Sequence, residues 1–232
     1  MGGNQLLFGT GRNLEEADRS DSRVQTIYSV WDPTTYVVDR DSRISSIQEH
    51  PPITTGRNAL VRQSVTSAVT SSASGEELPT SYFNSSRNEV RYSRSDTSAP
   101  RGWYMDLPVA RERVLSNPSI FQMDKIVVTT TSPPQGSTEE TCTPDVARNR
   151  SWTNVLNMFT GQPPRDRTFG NTDSTMNTAD TSRHEEESDE YARVYTPDDN
   201  HNLISLRGNG PTSQTLITTK VPGKRADWLE IQ

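Results

Sequence analysis

Apolar residues are spread thinly along this chain and recur mostly at alternate positions over short runs, with no long stretch that repeats every 3.6 residues. That pattern predicts strands and few helices. The expected strands are Gln5 to Gly9, Val24 to Trp31, Thr35 to Val38, Leu60 to Thr70, Glu89 to Ser93 and Gly102 to Leu107 in the first half. Ser119 to Phe121, Lys125 to Thr131, Ser151 to Phe159, Tyr191 to Tyr195, Asn202 to Leu206 and Gln214 to Lys220 follow. All are rich in Val, Ile, Thr, Tyr and Trp, which suit a pleated, half-buried surface. Asp32-Pro33, the Pro-Pro pairs beginning at Pro51, Pro133 and Pro163, and Gly208-Asn209-Gly210-Pro211 separate them with turn chemistry. Two stretches, 71–100 and 165–190, are dominated by Ser, Thr, Asn and charge and are expected to be flexible loops.

The clearest alternation lies in RGWYMDLP, residues 101–108. Trp103, Met105 and Leu107 fall on one face of a strand and Tyr104 and Asp106 on the other. Arg101 and Gly102 are expected to start this strand, with Gly102 allowing a neighbouring backbone to come close. Pro108, which has no N–H, is expected to end its ladder.

Composition sharpens this picture. Of the 232 residues only 30% are apolar, mean hydropathy is −0.81, and Ser plus Thr supply 55 positions. The net charge of −6 is modest, which fits a loop-rich β protein better than a disordered chain and gives no support for nucleic-acid binding. No apolar run is long enough to span a membrane. Met1 leads into GGNQLLFG, which predicts no signal peptide in this chain. Cys142 is the only cysteine, so no disulfide forms within it.

Candidate chemistry is sparse. Gly9-Thr10-Gly11-Arg12 lacks the third glycine of a dinucleotide loop and the Gly-Lys-Ser/Thr of a phosphate loop, so it reads as a tight turn after a strand. Asp198, Asn200 and Asn202 have the first three spacings of a calcium loop, but Leu203 stands where glycine is needed and Asn209 where a bidentate Glu is needed. His50, His184 and His201 are scattered, which argues against zinc. No nucleophile elbow is present, and no cofactor and no enzymatic activity are expected.

The order of several motifs says more than any one of them. LLFGTGRNL (6–14), VQTIYSVWD (24–32), RGWYMDLP (101–108), ERVLSNPSIFQMDKIVVTT (112–130), SWTNVLNMFTGQPP (151–164) and DWLEI (227–231) together resemble the C-terminal β-propeller of the PilY/PilC family of type IV pilus tip-associated adhesins and biogenesis factors. The matching positions include Gly9, Gly11, Arg12, Trp31, Asp32, Arg101, Gly102, Trp103, Tyr104, Asp106, Pro108, Asn117, Pro118, Trp152, Gly161 and Trp228, read as scaffold.

The resemblance implies an all-β, partial β-propeller over 1–232, built of several four-stranded antiparallel blades with long polar loops. At roughly 40–45 residues per blade, about four blades fit. It also implies a non-enzymatic role in pilus assembly, adhesion or twitching motility at the cell surface or outer membrane. The implied partners are the remaining propeller blades, minor pilins and possible host surfaces. The alternatives are an independent glycan- or protein-binding module and, further off, a quinone-dependent propeller dehydrogenase. Arg148-Asn149-Arg150 stands where the family usually has a Gly-Gly pair and Thr153-Asn154-Val155-Leu156-Asn157 where it has a Leu-Met-Glu-Leu-Asp strand, so that strand is expected to be weaker here, and the calcium loop known in some relatives has no counterpart.

Overall fold

The structure, a computed structural model, describes residues 2–48, 50–68, 82–121, 124–133, 150–165, 182–186, 194–197, 203–207 and 210–211. From the N-terminus the elements are β1 (Asn4–Gly9), the short helix α1 (Glu16–Ser20), β2 (Thr26–Asp32), β3 (Thr35–Val38) and β4 (Ile44–Gln48). A single 3-10 turn, Gly56–Ala59, precedes β5 (Val61–Gln63), β6 (Val65–Ala68), β7 (Tyr82–Ser85), β8 (Gly102–Asp106) and β9 (Arg113–Val114). Then come β10 (Ser119–Phe121), β11 (Lys125–Ser132), β12 (Arg150–Asn157), β13 (Arg183–Glu186), β14 (Val194–Pro197), β15 (Leu203–Arg207) and β16 (Gly210–Pro211).

These strands form an all-β, partial-propeller-like fold. The first sheet has the order β1-β2-β8-β5, antiparallel except that β5 runs parallel to β8. The second has seven strands, β10-β11-β12-β13-β7-β6 with β9 beside β11. A three-stranded sheet, β14-β15-β16, and the β3-β4 hairpin complete the set, so the strand count per sheet is less even than a row of four-stranded blades.

The first two sheets share one core. Alternation puts Ile27, Trp103 and Met105 of the first sheet on the face that meets Ile126, Val128 and Leu156 of the second, with Leu107 and Val114 at the margin. Burying each such side chain contributes on the order of 1.5–3 kcal/mol. Tyr104 and Asp106 lie on the opposite face of β8, as the alternation in RGWYMDLP predicts.

Two expected strands change. The run from Leu60 to Thr70 is not one strand: it breaks at Ser64, whose N–H bonds the Ser86 hydroxyl (3.0 Å), and β5 and β6 join different sheets. Glu89 to Ser93 is not a strand, and among the described residues no strand pairs with it. Side chains satisfy and anchor it instead: the Gln63 and Gln162 amides donate to the Asn88 carbonyl, and the Tyr92 hydroxyl to the Phe159 carbonyl (2.5 Å). The strand around Thr153 to Asn157, expected to be weaker than the family's, lies in β12, which pairs with β11 along all eight of its residues and with β13 on its other side. Within 71–100, residues 82–85 form β7 and Val90 enters the core; within 165–190, residues 183–186 form β13. Gln214 to Lys220 lies outside the described residues.

Candidate functional site

The outward face of the first sheet carries a row of rings. Register sets Phe8 opposite Tyr28, Tyr28 opposite Tyr104, and Tyr104 beside Arg62. The Phe8 and Tyr28 rings stack at 5.1 Å with a 20° angle, and Tyr28 and Tyr104 follow at 6.2 Å and 30°. Rings stacked on each other in this way stand up from the sheet and turn their edges outward.

Arg57, on the 3-10 turn, closes the row. Its guanidinium lies 4.9 Å from the Tyr104 ring centroid and 5.4 Å from that of Tyr28, distances at which a cation is drawn to a ring face. It donates to the Tyr28 hydroxyl (2.8 Å), to Asp106 Oδ1 (3.0 Å) and to Thr26 Oγ1 (2.7 Å), while the Thr26 hydroxyl donates to Asp106 (2.7 Å). Partial burial works against the charge of Arg57, but the Tyr28 hydroxyl and the Asp106 carboxylate hold its pKa above the usual value. Arg62 approaches the other Asp106 oxygen at 3.7 Å. The face offers ring edges, hydroxyls and paired charges, which are groups suited to recognition.

Arg101 forms a second corner at the end of the same sheet. Its side chain donates to the Trp31 carbonyl (3.1 Å) and the Pro51 carbonyl (3.1 Å), meets His50 Nδ1 at 3.0 Å, and stacks 5.9 Å from the Trp31 ring centroid. Beside it a cleft of about 320 Å³ runs between Pro51–Thr55 and Thr97–Ala99. Trp31 donates its indole N–H to the Gly2 carbonyl (3.0 Å). Asp32 accepts from the Thr34 N–H (2.9 Å) and the Tyr36 hydroxyl (2.7 Å); burial works against its ionisation, but these donors and nearby Arg101 lower its pKa overall.

Several of the motif residues lie behind the row. Gly102 has φ +139°, and a side chain there would collide with the Ser29 carbonyl, so only glycine lets β8 approach β2 at that point. Trp103 is fully buried and donates its indole N–H to the Met158 carbonyl (3.0 Å), and Gly161 packs directly on its ring. Trp152 lies 4.9 Å below the guanidinium of Arg183. Gly9 rests on Val114 and Gly11 on Arg113; Arg12 pairs with buried Asp18 at 2.6 Å. Pro108 follows β8 and is exposed, and Asn117 and Pro118 lead into β10. Trp228 lies outside the described residues.

Several organising residues were not singled out from the sequence. Arg183 and Glu112, both buried, pair at 2.8 Å; Arg183 also donates to Asn154 (3.0 Å), and Thr130 donates to Glu112. Arg113 donates to four carbonyls, those of Arg111 (3.0 Å), Arg12 (2.6 Å), Asp18 (2.7 Å) and Asp21 (3.1 Å), and so draws the segment carrying α1 around itself. Glu112 stands in the ERV motif, a signal that could have marked it; Arg183 sits in a polar run that gave none.

Among the described residues no cluster of three His, Cys, Asp or Glu could hold a metal. Of the calcium-like stretch only Leu203–Arg207 is described, and Asp198, Asn200, Asn202 and Asn209 lie outside, as does Cys142. His184 pairs in register with Thr153 and Tyr82 across the second sheet. No helix among the described residues is long and apolar enough to cross a membrane.

No protein-family model matches the chain, and no curated protein matches it in sequence. Among solved structures it is similar to the C-terminal domain of PilY1 from Pseudomonas aeruginosa, with a TM-score of 0.61 and 20% identity over 91% of this chain. The two share a fold. The match spans 42% of the PilY1 domain's length, so the chain corresponds to less than half of it.

Proposed function

We propose that this chain is a non-enzymatic, propeller-like module of a type IV pilus apparatus, acting in pilus biogenesis, surface adhesion or twitching motility. The similarity of its fold to the PilY1 C-terminal domain carries the reading, and the ordered motifs from LLFGTGRNL to SWTNVLNMFTGQPP support it. On this reading it works at the cell surface or outer membrane alongside minor pilins and further propeller blades. The outward row of Phe8, Tyr28 and Tyr104 favours a protein partner over a glycan. Sugars stack on free ring faces, whereas both faces of Tyr28 are occupied, by Phe8 on one side and by Arg57 and Tyr104 on the other.

Deletion of the gene, followed by measurement of sheared surface pilin and of twitching zones, tests the proposal. Loss of either, restored by the intact gene, is the expected result. Unchanged piliation, motility and adhesion would overturn it, as would a redox chromophore retained by the purified, active protein.

A further inference from the structure

We infer that β1 is a self-pairing edge through which two copies of this chain join, antiparallel and centred on Leu7. The inference stands apart from the pilus reading and rests on the register of the first sheet.

The hydrogen-bond phase of β2 fixes which way β1 faces. Towards β8, β2 uses its odd-numbered residues: the Trp31 N–H bonds the Arg101 carbonyl (2.7 Å) and the Leu107 N–H bonds the Gln25 carbonyl (2.8 Å). Its even-numbered residues therefore turn to β1, and the Thr10 N–H accordingly bonds the Thr26 carbonyl (2.9 Å). In β1 it follows that Asn4, Leu6 and Phe8 bond inward. Gln5, Leu7 and Gly9 aim their N–H and C=O groups away from the sheet, where they meet no backbone partner among the described residues.

Such an edge is normally protected by brevity, charge, proline or a bulge. Those devices are present elsewhere in the molecule. Edge strand β5 has three residues including Arg62, β10 has three, β14 ends in Pro197, and β6 and the β3-β4 hairpin carry register shifts. β1 has none of them: it is six residues long, unbroken in register, and reads NQLLFG. On its outer face Leu6 and Phe8 are 53% and 45% exposed.

The spacing complements itself. About a twofold axis at Leu7, Gln5 of one copy meets Gly9 of the other and Leu7 meets Leu7, and these are the positions whose backbone groups point outward. Leu6 then lies opposite Phe8 of the second copy in a close, non-hydrogen-bonded pair, twice over, and extends the row of Tyr104, Tyr28 and Phe8 across the joint. The product is a continuous eight-stranded sheet with no β1 edge left open.

Sedimentation equilibrium of the full chain over a range of concentrations tests this, with circular dichroism to verify folding. The wild type is expected to dimerise. Leu6→Glu/Phe8→Glu places like charges opposite each other and should raise the dissociation constant about tenfold or more. Leu6→Lys/Phe8→Glu, in which each lysine faces a glutamate of the other copy, should restore it. In a Cys142→Ser background, Leu6→Cys/Phe8→Cys should yield a disulfide-linked dimer under mild oxidation. A wild type that stays monomeric, a dimer indifferent to the paired glutamates, failure of the Lys/Glu exchange to restore association, or absence of the cross-link would each overturn the inference.

Discussion

Replacing Gly161 by alanine drives a methyl group into the indole of Trp103. A Cβ at that position sits 2.5, 2.6 and 2.9 Å from Trp103 Cδ2, Cε3 and Cε2, whereas carbon atoms pack comfortably at about 3.5–4.0 Å. About 1 Å of movement is therefore needed, and neither partner gives way easily. The Trp103 indole is fully buried and tied to the Met158 carbonyl (3.0 Å), and the Gly161 N–H is tied to the Asn157 carbonyl (2.8 Å). Overpacking of this kind costs about 1–3 kcal/mol. The backbone adds to it, since Gly161 has φ +67°, a left-handed conformation that costs an alanine roughly 1–2 kcal/mol. Together they predict a loss of about 2–5 kcal/mol, a large part of the roughly 5–15 kcal/mol that holds a typical domain. Equilibrium urea unfolding followed by circular dichroism measures it. The same substitution in a Trp103→Phe background separates the two causes, because the smaller ring makes room for the methyl and leaves only the backbone cost. A Gly161→Ala protein as stable as the wild type, or an equal loss in both backgrounds, would refute the packing argument.

Arg183→Met should destabilise the protein by about 3–5 kcal/mol, because Glu112 is left buried without its cation, and adding Glu112→Gln should recover part of the loss in the same unfolding assay. Burial pushes the Tyr92 phenol up to about 12, from an ordinary value near 10. Since its pKa is raised by folding, its contribution is intact below about pH 10 and is lost as pH rises towards about 12, and Tyr92→Phe should flatten the dependence of the urea midpoint on pH across that window.

The parts of this fold that were legible in the sequence are those whose neighbours leave a mark on the strand itself. In β8 the alternation of side chains gives the element away, and β3 and β10, marked by their β-branched and aromatic residues between turns, have the expected bounds. β13 reads RHEE and leaves no such mark. It is a strand because β12 needs a second partner and because Arg183 finds Glu112, 71 residues earlier, and Trp152 beneath it. Glu89 to Ser93 shows the reverse error: its Val and Tyr do enter the core, but as side chains of an irregular segment held by Gln63 and Gln162. At the outward face Tyr104 could be placed by alternation, while Arg57 reaches Asp106 across 49 residues and depends on a turn that no local pattern announces. Gly102 and Gly161 were visible as glycines, but the carbonyl and the ring that exclude a side chain there belong to distant segments.

The chain crosses repeatedly between its two main sheets: β1, β2 and β5 lie in the first, β6 and β7 in the second, β8 returns to the first, and β9 to β13 belong to the second. β8 must also insert between β2 and β5, both of which precede it. During synthesis, β2 therefore waits with its inner edge open until residue 106 has emerged, and β7, beside β6, waits for its second partner about a hundred residues further on. Neither sheet can mature as a separate folding unit. Pairings this distant make for slow folding with early strands exposed in the meantime, and a cell that makes this protein has reason to keep the growing chain shielded until its last strands arrive.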